Sequence, residues 1–265
     1  LLVGTDCPVL APGHLQGAAT ALTTHDVVLI PAEDGGYVLI GMRRFIPEAF
    51  DNVDWSTPQV MAQTRQQLRQ TGTSWKELPT LWDVDEPADW ERLRTLTDQY
   101  PDTMMVGEIG DESGMAMVAQ YSSPSAEGAE RLHMGYCFDL LADRHDAPYL
   151  HEVIAKFERV AAEAGGGWAC WALSNHDCKR IATRWGGDHP DPALLRLAPA
   201  LQLSLRGAVC LYQGEELGLP EADIAYEDLQ DPYGITMWPE FKGRDGCRTP
   251  FPWNSTAPDL GFGAP

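Results

Sequence analysis

The chain is predicted to be an α/β protein whose second part is half of a (β/α) barrel, and three observations carry that expectation. Apolar runs end at carboxylates four times after residue 100: at Glu108, near Asp139, at Asp177 and at Glu215. Segments with helical periodicity lie between those runs. Residues 1–97 follow a different rhythm, of short strands and acidic turns. Buried strands that alternate with amphipathic helices, with polar groups gathered after the strand ends, describe a barrel whose reactive face lies at the strand C-termini. Only four such units fit into this length, and a closed barrel takes eight.

The elements follow in order. "LLVG" leads into "TDCPVL", "DVVLIP" into "AEDGG", and "YVLIG" follows at once, so three strands are expected before residue 42. A helix comes next: Thr57 suits its cap, Pro58 its first turn, Val60, Thr64 and Leu68 share a face, and Gly72 stops it. "LWDVDEPADWERLRTL" places Asp85 at a second helix start, with Trp90, Leu93 and Leu96 on one side. Past residue 100, "TMMVGE" reads as a buried strand delivering Glu108. "SSPSAEGAE", residues 122–130, reads as a mobile loop. Residues 148–164 carry Leu150, Val153, Ile154, Phe157, Val160 and Ala161 on one face and end in three glycines. Residues 191–206 open with Asp191-Pro192 and close at Gly207. Trp168 and Trp171 alternate on a strand and are expected to pack in the core, whereas His133, His145 and His151 read as surface residues.

Bulk properties narrow the partners. The formal charge is −20, from 19 basic and 39 acidic residues, which repels phosphate backbones and argues against nucleic acid or an anionic membrane. No apolar run approaches the roughly 20 residues a membrane helix needs. No basic-then-apolar leader marks secretion, so a cytoplasmic location is expected. The six cysteines form no C-x-x-C pair and several sit inside apolar runs, which predicts buried reduced thiols rather than disulfides or a zinc site. The opening Leu1-Leu2-Val3 and the closing "GFGAP" read as truncated ends.

"MMVGEIGD", "GYCFDLL", "WALSNHD", "LYQGEELGLPEADIAYEDLQDPYG" and "WPEFKGRDGCRTPFPW" occur in one order over residues 98–254. Together they resemble the alpha-amylase family of glycoside hydrolases, in its alpha-glucosidase and oligo-1,6-glucosidase branch. The resemblance implies a (β/α)8 barrel of which strands 5–8 are present. It implies a retaining reaction on an alpha-glucoside or oligosaccharide, without a cofactor. Glu108 then matches the general acid/base and Asp177 the carboxylate that stabilises the transition state, with His176 beside it. Arg248 matches an arginine that defines the pocket for the terminal glucose, with Arg244 the alternative. Glu215 and Glu216 are read as orienting loops, and Asp139 as a buried hydrogen-bonding carboxylate. A retaining glycosidase needs a nucleophilic carboxylate about 5–5.5 Å from the acid. In the family this is an aspartate two residues after an arginine, on the strand before the acid. No R-x-D follows an apolar strand upstream of Glu108, so the chain is expected to be inactive by itself.

"GTDCPVL", "PAEDGGYVLIGMRR", "WSTPQVMAQT" and "LPTLWDVDEPADWERL" resemble bacterial glycosyltransferase-A-like transferases related to nucleotidyltransferases. That resemblance implies part of a doubly wound sheet of the kind that binds a nucleotide sugar. Magnesium or manganese would be held by Asp6 and by Asp85, with Asp83 the alternative to the latter. "EDGG", residues 33–36, permits close backbone approach to a sugar or base; Asp85 serves equally well as a helix cap, and Gly35-Gly36 as a hairpin turn.

The expected domains are a transferase-like fragment, residues 1–97, and the half barrel, residues 98–265. No polar linker separates them, which predicts a chimeric reading frame. Three functions follow: an alpha-glucosidase descendant, a metal-dependent glycosyl or nucleotidyl transferase, and a chain with no enzymatic function. Half a barrel exposes strand edges, so non-specific self-association is expected.

Overall fold

A computed structural model of the protein describes residues 1–110, 113–126 and 128–262. It divides into two compact units, Leu1–Tyr100 and Pro101–Pro265.

The first unit is a four-stranded mixed sheet in the order β1-β3-β2-β4, with helices. β2 (Val27–Pro31) and β3 (Tyr37–Met42) pair antiparallel, from Val27 opposite Met42 to Pro31 opposite Tyr37. The turn between them needs Gly35, whose φ is +98° and whose Cβ, were there one, would lie 2.2 Å from the Pro58 carbonyl oxygen. β1 (Leu2–Val3) pairs antiparallel with β3, and β4 (Trp75–Glu77) pairs parallel with β2. β2 is wholly buried, so its unbroken VVLIP run has apolar neighbours on both faces. On one side Val28 and Ile30 pack with Ala18 of α1 (Pro12–Ala21). On the other, Val27 and Leu29 meet Met61 and Leu68 of α2 (Val60–Gln70). α2 buries Val60, Thr64 and Leu68 as its periodicity predicts, and its regular turns begin three positions after Thr57. α3 spans Pro87–Thr97 and is capped by Glu86, with the Asp89 carboxylate accepting from the Glu86 backbone N–H at 2.8 Å. Asp85 lies just outside that cap.

The second unit contains a four-stranded, wholly parallel sheet in the order β5-β6-β7-β8. Its strands are β5 (Val106–Gly107), β6 (Met134–Cys137), β7 (Ala169–Ala172) and β8 (Ala208–Cys210). Sequence order and spatial order coincide, as four successive β/α units of a barrel require. Helices α4 (Gly114–Tyr121), α5 (Ala147–Glu163), α6 (Ile181–Gly186) and α7 (Pro192–Ser204) supply the connections. α5 buries Val153, Phe157 and Ala161 and stops at Gly165, Gly166 and Gly167, all at positive φ. Asp191 caps α7, accepting from the Ala193 N–H at 2.7 Å. The Phe157 ring meets Trp171 edge-on at 5.5 Å, and the buried indole donates from Nε1 to the Arg206 carbonyl at 2.9 Å.

Three expectations change here: β5 is a two-residue, half-buried strand rather than a buried one, and Met104 before it is 65 % exposed. Trp171 is fully buried, but Trp168 is 41 % exposed under the Arg206 guanidinium, because it precedes β7 and escapes the helix layer. His133 is half-buried, and its Nδ1 accepts from the Met105 N–H at 3.0 Å, fixing the entry to β5. The loop after α4 is closed by the Ala129 carbonyl, which accepts from the Ser125 N–H at 2.7 Å; its Glu127 lies outside the described residues. All six cysteines are free thiols.

Candidate active site

The C-terminal ends of β5, β6 and β7 open into one cavity of about 580 Å³, lined among others by Glu108, Asp139, Asn175, Asp177 and Cys178. Glu108 arrives there as the residue that directly follows Gly107, the last of β5. Asp177 arrives through a tight turn after β7. Its own N–H donates to Asn175 Oδ1 at 2.9 Å, and the Ser174 hydroxyl oxygen accepts from the Ile181 N–H at 2.8 Å.

Positive charge converges on Asp177. Its Oδ1 accepts from Arg244 Nη1 at 2.9 Å and from Arg248 Nη2 at 2.8 Å, and His176 Nε2 lies 3.5 Å from Oδ2. Arg248 also donates from Nε to the His176 carbonyl at 2.7 Å, which joins the two residues to one frame. Desolvation opposes ionisation of Asp177. The hydrogen bond from Arg244, the neighbouring His176 and Arg248 outweigh it, so the carboxyl sits below its ordinary range. A carboxylate kept ionised and oriented in this way suits stabilisation of an electron-poor carbon better than proton donation.

The segments bearing these groups are tied by Arg180, which is buried. It donates from its backbone N–H to Glu221 Oε2 at 2.8 Å and from Nη1 to the Gln213 carbonyl at 2.6 Å, and its guanidinium lies 5.3 Å from the Tyr212 ring centre. Glu215 is buried, accepts from the Tyr212 N–H at 2.9 Å and is pushed up by burial; Glu216 accepts from the Gly214 N–H. Both act as loop braces.

The geometry therefore gathers Glu108, Asp177, His176 and Arg248, and adds Arg244 and Asp139. Arg244 was the alternative to Arg248, yet both arginines reach the same oxygen. Asp139 is half-buried and faces the cavity rather than the core. Its signal was present, since it follows an apolar strand just as Glu108 does.

In the first unit, carboxylate oxygens of Asp34, Asp83 and Asp85 lie within 4.8 Å of one another. Burial and repulsion from Asp34, Asp85 and Asp6 raise Asp83 from 3.8 to about 6. Asp85 is raised by burial and by Asp34, Asp6 and Asp89. An all-oxygen donor set under mutual repulsion fits a hard divalent cation such as magnesium or manganese. Asp6 stands beside this group, with its carboxylate folded back over Gly4. Asp34 is the member that sequence reasoning missed; it sits in the "EDGG" segment, which reads as a close backbone approach to a sugar or base or as a hairpin turn.

Comparison with known proteins finds two family matches, the second of which begins within the first unit. Residues 1–57 match a family described as an uncharacterized protein conserved in bacteria (DUF2064), and residues 70–264 match the alpha-amylase catalytic domain. A probable alpha-glucosidase of Rhizobium meliloti (strain 1021) is 48% identical over 188 residues, which cover 69% of this chain and 33% of that protein. The chain spans about a third of that relative's length. The crystal structure of the alpha-glucosyl transfer enzyme XgtA is 54% identical with a TM-score of 0.59, covering 65% of this chain and 31% of that one. A putative nucleotide-diphospho-sugar transferase from Desulfovibrio desulfuricans G20 is 33% identical over 38% of this chain and 44% of its own, with a TM-score of 0.34. The strand-end glutamate, the "SNHD" turn and the two arginines thus lie inside a catalytic-domain match that covers most of the residues, and the chain belongs to the alpha-amylase family.

Proposed function

We propose that the second unit derives from a retaining alpha-glucosidase and keeps the part of its site that protonates the leaving oxygen and grips the terminal glucose. Glu108 is the proton donor, Asp177 stabilises the oxocarbenium-like centre and holds sugar hydroxyls, and His176 and Arg248 shape the pocket. The observation that carries this reading is the shared cavity of Glu108 and Asp177, with two guanidinium groups on the latter. A glycosyl-enzyme intermediate also needs an attacking carboxylate, and no R-x-D precedes Glu108 in the 265 residues. The chain is therefore expected to bind glucose weakly and not to turn over a glucoside. Titration with glucose, followed by amide chemical shifts, is expected to move residues 175–178 in the wild type and not in Asp177→Asn. Shifts confined to other regions would reject the reading, and nitrophenol release from a nitrophenyl alpha-glucoside, abolished in Glu108→Gln, would reject the expected inactivity.

The acidic group of the first unit supports a second reading, a metal-dependent transferase fragment in which Asp34, Asp83 and Asp85 hold the cation. When bound, the cation would neutralise the phosphates of a nucleotide sugar. A manganese- or magnesium-dependent rise in affinity for such a nucleotide, lost in Asp83→Asn, would favour it.

A further inference from the structure

Asp231 lies outside the cavity, but its bonding is directed toward it. Its side chain is fully buried. Oδ2 accepts from Arg244 Nε at 2.9 Å and from the Arg244 N–H at 2.8 Å; Oδ1 accepts from Arg244 Nη2 at 3.0 Å and from the Tyr233 N–H at 3.2 Å. This two-point grip fixes the guanidinium plane and leaves Nη1 aimed at Asp177 Oδ1. The approach depends on glycines. At Gly243, with φ of +77°, a Cβ would lie 2.9 Å from the Gly234 Cα and 3.0 Å from Asp231 Oδ2; at Gly234 it would lie 2.6 Å from the Lys242 carbonyl. The Tyr233 ring covers the guanidinium, 5.2 Å from its centre.

We infer that Asp231 and Arg244 are a positioning pair: buried Asp231 locks the Arg244 fork so that its free Nη1 orients Asp177 for the sugar. This rests on the proposed role of Asp177 at the glucoside but concerns how that carboxylate is held before any ligand arrives. Arg248 is anchored differently, since its Nε bond goes to the His176 carbonyl, in the same turn that carries Asp177. Arg244 answers to a separate element, the strap of residues 230–245. That strap is pinned in turn by Asp245, whose Oδ2 accepts from the Gln230 and Asp231 N–H groups at 2.7 and 2.8 Å.

The test is carboxyl NMR titration of Asp177 in the full chain, with arginine side-chain nitrogen spectra. The other ionisable groups facing Asp177 are His176, Arg244 and Arg248 at contact distance and Glu108, Asp139 and Cys178 around the cavity. In Asp231→Asn the proton affinity of Asp177 is expected to rise about tenfold, one unit in midpoint. Arg244→Lys, which keeps the charge and loses the fork, is expected to act in the same direction. An unchanged midpoint in either folded variant overturns the inference. Should neither variant fold, the wild type decides: Arg244 is expected to show slow rotation about its Nη bonds, and a freely rotating guanidinium overturns the inference. Failure of glucose to bind would reject the proposed function while leaving these readouts intact.

Discussion

Asp83 shows how a single side chain reports the strain of gathering like charges. Its carboxyl is raised from 3.8 to about 6, first by burial and then by Asp34 and Asp85. A raised acid binds its proton more tightly in the folded state, so stability falls as pH rises from about 4 to about 6. Two units would correspond to about 3 kcal/mol, which solvent screening reduces to about 1 kcal/mol. Urea unfolding at pH 4.5 and 7 is expected to show that loss, and Asp83→Asn to remove most of it. A divalent cation should reverse the effect: manganese at 100 times its Kd adds about 2.7 kcal/mol. Its shift in Tm is expected to be clear at pH 7.5, small at pH 5 and absent in Asp34→Asn. A shift that is independent of pH would contradict the cluster as its site.

The elements of the second unit depend on a few contacts that tie each helix to its strand. Phe157 on α5 is fully buried against Trp171, so Phe157→Ala should cost about 3–5 kcal/mol in urea unfolding. Asp191→Ala removes only the α7 cap and should cost about 1 kcal/mol. The order of these two losses tests the packing. Gly207 is a harder constraint than either cap or ring. Its φ is +137° and an added Cβ would sit 2.6 Å from the Ala169 carbonyl oxygen, so Gly207→Ala should disturb the pairing of β7 with β8. Hydrogen exchange at Trp171 and Val209 is expected to accelerate in that variant.

At the scale of the whole molecule, a four-stranded parallel sheet ends at β5 on one side and β8 on the other. Neither edge has a strand partner among the described residues, and α7 leaves Leu197 and Leu203 62 % and 63 % exposed. Unpaired edges and exposed apolar side chains promote association. Sedimentation velocity between micromolar and submillimolar concentration is expected to show growing self-association, reduced in the double variant Leu197→Lys, Leu203→Lys. A monomer across that range would rule the expectation out. Among the described residues no helix is long and apolar enough to cross a membrane, so that route to covering apolar surface is not offered by a helix here.

The fold class, the order of the second-unit elements, the strand-end position of Glu108 and the placement of Asp177 after a strand were all legible in the sequence. They depend on local signals: apolar runs, helical periodicity, and caps such as Asp191 and stops such as Gly165–Gly167. The charge balance was legible because composition needs no geometry; burial of the cysteines was legible for Cys7, Cys137, Cys170 and Cys247, whereas Cys178 and Cys210 are half-buried. The sheet of the first unit was legible only as strands; that β2 pairs antiparallel with β3 and parallel with β4 is fixed by packing across residues far apart. Only tertiary structure decided that Arg244 and Arg248 share one oxygen of Asp177, that Asp139 faces the cavity, and that Asp34 joins Asp83 and Asp85. Each of these contacts joins groups separated by many positions, and the direction of a polar side chain is set by its partners rather than by its neighbours in the chain.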